Sequence, residues 1–456
     1  MARSAESVLA VIKAYDVRGV VGEQIDEDFV REVGASFARL MRSEGAGTVV
    51  IGHDMRDSSP GLSAAFADGV TAQGLDVVTI GLASTDQLYF ASGSLDCPGA
   101  MFTASHNPAA YNGIKLCRPG AKPVGQESGL RTIADEVIEG VPAHDGEAGT
   151  VTERDVLDGY GEYLRGLVDL SGIRPLTVAV DAGNGMGGHT VPAVLGGLPL
   201  EIVPLYFELD GNFPNHEANP LEPANLVDLQ ALVRESGADI GLAFDGDADR
   251  CFVVDERGEP VAPSAITALV AERELAKDPG ASIIYNLITS RAVPELVEEK
   301  GGVAVRTRVG HSFIKAQMAD TGAVFGGEHS AHYYFRDFWN ADTGMLAAMH
   351  VLAALGEQDG PLSDLGREYE PYFSSGEVNS KVADVHASIA RARTEFEQEG
   401  VVVDDLDGLT FTPEHGNWWF NLRPSNTEPY LRLNAEAVDP QTLEDLVQRV
   451  LAVIRD

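Results

Sequence analysis

Two stretches of this 456-residue chain carry side chains that could do chemistry together. In Thr103-Ala104-Ser105-His106-Asn107-Pro108 a hydroxyl stands beside an imidazole, the pairing of a nucleophile with a base. Pro108 lacks an N–H and keeps Asn107 out of the helical region, so the serine sits on a tight turn. A plain Ser/Asn turn would read the same from these six residues alone. In Asp245-Gly246-Asp247-Ala248-Asp249-Arg250 three carboxylates alternate with small residues. Such charges repel unless a cation lies among them, and the spacing predicts a divalent metal; a solvated acidic turn is the competing reading. Glu256 falls where an EF-hand would place its twelfth residue. Position six, however, is Arg250 instead of Gly, and Cys251-Phe252-Val253-Val254-Asp255 reads as a strand, which excludes that motif. Three protein oxygens leave coordination positions open, as Mg²⁺ sharing a phosphate oxygen requires.

Two later loops add recognition chemistry. Gly326-Gly327-Glu328-His329-Ser330-Ala331-His332 offers Glu, Ser and His to sugar hydroxyls, and its glycine pair would let backbone approach a ligand. Metal binding by His329 and His332 is the alternative there, without a matching thiol or third His. Arg423-Pro424-Ser425-Asn426-Thr427 combines an arginine fork with hydroxyls and backbone amides, a phosphate-binding loop outside the Walker pattern or else a plain turn. Near the start, Tyr15-Asp16-Val17-Arg18-Gly19 puts an arginine in a loop. Tyr111-Asn112-Gly113-Ile114-Lys115 reads as a turn delivering a lysine close to Ser105. Gly183-Asn184-Gly185-Met186-Gly187-Gly188 fits a dinucleotide fingerprint, but no acidic residue closes a strand about 20 residues on, so it reads as a structural turn.

The elements that must position these loops follow a βαβ rhythm. Apolar runs at 48–52, 76–80, 100–105, 176–181, 239–244, 282–285, 303–305 and 323–325 alternate with helical stretches at 63–73, 153–168 and 291–299. Past Pro361 short strands at 409–411, 418–422 and 430–435 and a helix at 385–399 suggest a small α+β domain. The expected fold is α/β: three similar α/β domains with mixed, mostly parallel sheets and a smaller α+β C-terminal domain around a central cleft. The expected boundaries are 1–150, 151–256, 257–366 and 367–456. Each candidate loop follows a strand, where open α/β sheets bind ligands. Nucleophile, metal, sugar contacts and phosphate grip together point to phosphoryl transfer on a phosphosugar.

Composition narrows the class. The net charge of −37 disfavours nucleic acid and anionic membranes. No apolar run reaches the roughly 18 residues of a membrane span, and the five apolar residues before Lys13 are too few for a signal peptide. Cys97, Cys117 and Cys251 show no metal spacing and read as reduced thiols of a cytoplasmic protein, expected as a monomer or weak dimer.

With these loops in hand, the chain resembles an α-D-phosphohexomutase of the bacterial phosphomannomutase/phosphoglucomutase group. Residues 103–108, 245–250, 327–332 and 423–427 stand in that family's order and spacing. The resemblance implies an isomerase working by intramolecular phosphotransfer, with Ser105 as phosphoserine and with Ser105, Asp245, Asp247 and Asp249 holding one Mg²⁺. A hexose 1,6-bisphosphate would be intermediate and activator. Arg18, Lys115, His311 and His106 would serve catalysis. Glu328 and Ser330 would bond the 3- and 4-hydroxyls. Tyr15, Arg250, Gly310, His332, Arg423, Ser425, Asn426 and Thr427 would complete the substrate contacts. Two departures stand out: Asn286 and Leu287 occupy a strand where many relatives carry a lysine, and Ala331 replaces a common glycine. The sugar loop of phosphoglucosamine mutases usually reads Gly-Glu-Gln-Ser, whereas Gly327-Glu328-His329-Ser330 leans toward mannose and glucose phosphates. A silent phosphosugar-binding relative is the remaining alternative, against which the intact Ser105 and aspartates argue.

Overall fold

The computed structural model describes residues 3–398, 400–424 and 430–455, without the side chains of residues 311 and 312. The chain forms two compact units: one from the residues up to Val261 together with Ser330–Ser363, the other from Ala262–His329 together with Asp364 onward.

The first unit holds two mixed sheets. In one, Gly99–Phe102, Thr48–His53, Asp76–Leu82 and Val151–Glu153 run parallel, and Tyr111–Arg118 joins antiparallel between Gly99–Phe102 and Val17–Val20. The central strands are apolar on both faces because helices cover both. One cover is the helix Glu27–Ser43, capped by Asp26 at Phe29 N–H (2.6 Å), which turns Phe29, Val30, Val33, Phe37 and Met41 inward. In the other sheet Leu200–Leu205, Leu176–Asp181 and Ile240–Phe244 are parallel, while Cys251–Asp255 returns antiparallel. That return is the strand whose pattern excluded an EF-hand.

One expectation fails here. Tyr111 to Lys115 is not a turn but the first part of the strand Tyr111–Arg118. Asn112 is buried, donating to Ser58 Oγ (2.8 Å) and Ser59 Oγ (2.9 Å). Gly113 is required because a Cβ there would lie 2.3 Å from Val17 O. The Asn-Gly pair serves packing, not chain reversal.

The returning segment Ser330–Ser363 brings the hairpin Tyr333–Phe335 with Ala341–Asp342 and the helix Gly344–Gly356. Trp339 stacks on Tyr163 (5.1 Å between centroids) and meets Phe90 edge-on. Thr343 caps the helix and donates to buried Asp86 (2.7 Å), which also accepts from Tyr160 (2.6 Å) and Ser84.

The second unit contains three parallel strands, Val303–Thr307, Ser282–Asn286 and Phe325–Gly327. It also contains a five-stranded antiparallel sheet ordered Phe373–Lys381, Tyr430–Ala437, Trp418–Pro424, Leu409–Pro413, Val401–Asp404. Phe396, Phe411, Phe420, Leu422, Leu433, Val450 and Ile454 form the core beneath that sheet.

Candidate active site

The serine loop leaves the strand Gly99–Phe102 tied back to its neighbours: Thr103 N–H donates to Gly113 O (3.1 Å) and Asn107 N–H to Ala104 O (2.9 Å). Ser105 is 6% exposed and held at φ +48°, a left-handed conformation uncommon for a residue with a Cβ. Its N–H donates to Thr103 Oγ1 (2.9 Å) and its hydroxyl to Asp245 Oδ2 (2.8 Å). Serine and acid triad, 140 residues apart in sequence, therefore touch. Gly246 makes the approach possible, since a Cβ there would lie 2.4 Å from Ser105 O. The glycine-rich turn after Asp181 supports the acidic loop from behind, where Met186 N–H donates to Gly246 O (2.9 Å).

Asp245, Asp247 and Asp249 are all buried, and their carboxylate oxygens converge within 4.8 Å of one another. Arg250 wraps Asp245 through Nε (3.0 Å) and Nη2 (2.8 Å), while Lys115 Nζ bridges Asp247 (2.7 Å) and Asp249 (2.6 Å). Burial pushes Asp245 up to about 7 against the pull of Arg250, with Asp247 and Asp249 adding to the rise. Burial also opposes charge on Asp247, but Lys115 overrides it and holds that carboxyl below the usual range. Lys115 loses favourable solvation too, yet Asp247 and Asp249 raise it well above an ordinary lysine. Buried Asp247 Oδ1 and Asp249 Oδ1 receive no hydrogen bond. Unsatisfied hard oxygens converging on one point are a donor set that fits a divalent cation such as Mg²⁺.

Of the other expected residues of this unit, Arg18, His106, Ser330 and His332 lie around the same point. Arg18 donates to Ala104 O (3.1 Å) and Asn107 Oδ1 (2.5 Å) and pairs with Asp16 (2.6 Å). His106 Nδ1 lies 2.6 Å from Arg250 Nη2 and 3.3 Å from Ser105 Oγ. Burial, then Arg250 and Arg18, lower His106 to about 3, so the ring is neutral and accepts from the arginine. Ser330 Oγ is 3.0 Å from His332 Nδ1, and His332 Nε2 is 3.9 Å from Asp249 Oδ1. With Asp249 and Asp342, His332 forms a second convergent group; His329 belongs to the other unit. Ala331, where a glycine is common, sits at φ +62°. Tyr15 lies in the loop before Val17–Val20 and is 37% exposed.

In the second unit Glu328 is buried and accepts from Gly310 N–H (3.3 Å) and Asn286 Nδ2 (3.3 Å). Asn286, one of the two departures noted in the sequence, thus donates to Glu328. The glycine pair before Glu328 answers to packing: a Cβ at Gly327 would lie 2.4 Å from Thr267 Oγ1. Arg423 donates to Glu377 (2.7 Å), and Arg432, opposite it in the sheet, also pairs with Glu377 (3.4 Å). Arg423 Nε is buried without an acceptor. His311 opens the helix His311–Thr321, but its side chain lies outside the described residues, as do Ser425, Asn426 and Thr427.

Three positioning groups escaped the sequence reading. Thr85 donates its backbone N–H to Asp247 O (3.0 Å) and its hydroxyl to Asp247 Oδ2. Arg56, 1% exposed, reaches the serine loop's carbonyls and is paired with buried Asp54. Neither Thr85 nor the Asp54-Met55-Arg56 stretch stands out, because their partners are backbone atoms or distant acids.

Profiles for the four phosphoglucomutase/phosphomannomutase domains match in succession: alpha/beta/alpha domains I, II and III over residues 10–140, 158–258 and 262–372, and the C-terminal domain over 377–453. The chain belongs to this family. It is 39% identical to proteins described as phosphohexose mutases of Xanthomonas campestris pv. campestris over 450 residues, 98% of this chain and 99% of the relative. It is 38% identical to the phosphomannomutase of Escherichia coli K12, with the same coverage. Among solved structures, a phosphoglucomutase/phosphomannomutase family protein from Burkholderia thailandensis superposes with a TM-score of 0.88 at 34% identity, covering 97% of each chain. The protein is thus a hexose phosphate mutase, a phosphotransferase of the isomerase class. No described helix is long and apolar enough to cross a membrane.

Proposed function

We propose that this phosphohexomutase interconverts the 1- and 6-phosphates of mannose, glucose or both through a phosphoserine at Ser105 and a bisphosphorylated sugar. The observation that carries the reading is the 2.8 Å contact of Ser105 Oγ with Asp245, inside a carboxylate cluster that still has unsatisfied oxygens. Asp245, Asp247 and Asp249, with an oxygen on Ser105, would hold Mg²⁺, whose chemistry here is to neutralise charge on the transferring group.

In the forward half-reaction the free sugar hydroxyl attacks phosphorus on Ser105. A P–O bond to the sugar forms, the bond to Ser105 Oγ breaks, the hydroxyl proton passes to a base, and the serine oxygen is reprotonated. Lys115, whose Nζ reaches Asp247 (2.7 Å) and Asp249 (2.6 Å), would place a positive charge beside the transferring group. Arg18, bonded to the loop on either side of Ser105, adds a second fixed positive charge. Glu328 would accept from the 3- and 4-hydroxyls with Ser330, and Arg423 with residues 425–427 would grip the phosphate not in transit. The bisphosphate would then turn over and return its other phosphate to Ser105. Phosphomannomutase relatives at 38% identity, and His329 in the sugar loop, favour mannose and glucose over glucosamine phosphates.

Intact-mass measurement of purified protein tests this. A fraction heavier by one phosphate, chased off by hexose 1-phosphate, is expected, with faster turnover on mannose and glucose 1-phosphates than on glucosamine 1-phosphate. Full activity of a protein never phosphorylated at Ser105 would sink the mechanism.

A further inference from the structure

The serine loop contains a left-handed serine, and such a conformation persists only where surrounding contacts over-determine it. Beside the bonds from Thr103, Arg18 and Asp245, most of the loop's carbonyls are held by one side chain. Arg56 Nη2 donates to Ser105 O (2.9 Å) and Asn107 O (2.7 Å), Nη1 to Pro108 O (3.0 Å) and Tyr111 O (3.1 Å), and Nε to Asp54 Oδ2 (3.2 Å). All five N–H groups of the guanidinium are thereby used. Four of them hold backbone carbonyls, three in the serine loop and the fourth on Tyr111, where the next strand begins.

The surroundings make this clasp rigid. Asp54 is itself fixed by Ser59 Oγ (2.6 Å) and Arg56 N–H (3.0 Å). The Phe213 ring lies 5.1 Å from the guanidinium, and Gly211 passes so close that a Cβ would stand 2.6 Å from Arg56 Cα. Ser105 O, which receives Arg56, is also the atom against which Gly246 of the acidic loop packs. One carbonyl therefore registers the serine loop against the carboxylates.

We propose that Arg56 is a positioning residue for phosphoryl transfer: by holding four carbonyls it fixes Ser105 Oγ against Asp245. It touches no reacting atom, and the inference rests on the reading of Ser105 as phosphoryl carrier. Displacing a reacting group by about 1 Å costs on the order of 100-fold in rate, whereas substrate recognition through Glu328 and Arg423 involves no residue that Arg56 contacts. The effect should therefore fall on kcat and leave KM alone. Lysine has three donors around a point and cannot reproduce the planar fork.

The test compares the parent enzyme with Arg56→Lys and Asp54→Asn, the second retaining arginine and shape but weakening its anchor. Expected are a fall in kcat of about 100-fold for Arg56→Lys and about tenfold for Asp54→Asn. KM should stay within about twofold, and phosphorylation of Ser105 by hexose 1,6-bisphosphate should slow in proportion to kcat. Rates are taken per folded molecule, with the folded fraction from thermal denaturation. A purely structural arginine would lower Tm while leaving kcat per folded molecule within threefold, and that result in either folded variant overturns the proposal. A rise in KM equal to the fall in kcat would overturn it too. Should Arg56→Lys not fold, Asp54→Asn decides alone. Absence of phosphate on Ser105 in an active parent is a different result, which fails the carrier reading and not the clasp.

Discussion

Asp245, Asp247 and Asp249 on one side, and Arg423 on the other, are charges of opposite sign held in opposite ways. The three acids are at most 1% exposed, and the cations that neutralise them, Lys115 and Arg250, are bound through several short contacts. Arg423 is itself only 9% exposed, but its partner Glu377 has a side chain 29% exposed and shared with Arg432. Charges buried in a low dielectric interact strongly and tolerate no loss of a partner. A pair with one partner partly open to water is weaker than a fully buried one, toward the roughly 0–1 kcal/mol of exposed pairs, and is exchanged at less cost. The difference teaches a division of labour. On the function proposed above, the buried cluster would hold the reacting groups in place, while Arg423 would trade its partly exposed partner Glu377 for a ligand phosphate and release it again.

The comparison breaks most visibly at Ser105. Ser105→Ala should lose more than about 10⁴-fold in kcat, since the hydroxyl that would carry the phosphoryl is gone, and a coupled assay with glucose 1-phosphate reads this directly. Retention of a tenth of the activity would move the chemistry elsewhere. Next, Asp247→Asn should weaken Mg²⁺ binding and slow turnover on the order of 100-fold, with the fold intact by circular dichroism. Unchanged Mg²⁺ titration would remove Asp247 from the ligand set.

At the open end the effects should be smaller and of a different kind. Arg423→Ala should raise KM for glucose and mannose 1-phosphates alike, by about tenfold, leaving phosphorylation of Ser105 nearly intact. A strongly sugar-selective defect would show that this arginine does not read phosphate. The smallest effect sharpens the contrast: Glu377→Gln removes the exchangeable partner and should lower KM a few-fold, by up to about 1 kcal/mol of relieved competition. If KM rose instead, Glu377 would be orienting Arg423 and not standing in for a phosphate.

Much of this was legible in the sequence because chemistry sits where apolar runs stop. The strands ending at Phe102, Phe244 and Gly327 announce the serine, acid and sugar loops, and the return strand after Arg250 could be read from five residues. What stayed hidden has a common cause. Arg56 serves backbone carbonyls, which every residue possesses, so no side-chain pattern betrays its partners. Asn112-Gly113 has the composition of a turn, and only the nearness of Val17 O and Ser59 explains its place inside a strand. The helix Gly344–Gly356 is buried nearly all round and so lacks the amphipathic period that marks a surface helix. The link from Lys115 to Asp247 spans 132 residues, a separation that no local pattern carries.

The return of Ser330–Ser363 to the first unit has a consequence for how the protein is made. Asp86 leaves the ribosome 257 residues before Thr343, its hydrogen-bond donor. At 5–20 residues per second that is a wait of roughly 13 to 50 s. Throughout it, Tyr163 and Phe90 lack Trp339, and the entire Ala262–His329 segment must emerge before the missing hairpin does. A nascent chain stopped near Val261 would therefore present an uncovered aromatic patch and a buried-type carboxylate short of one donor, a ready target for chaperones and proteases until translation passes Ser363.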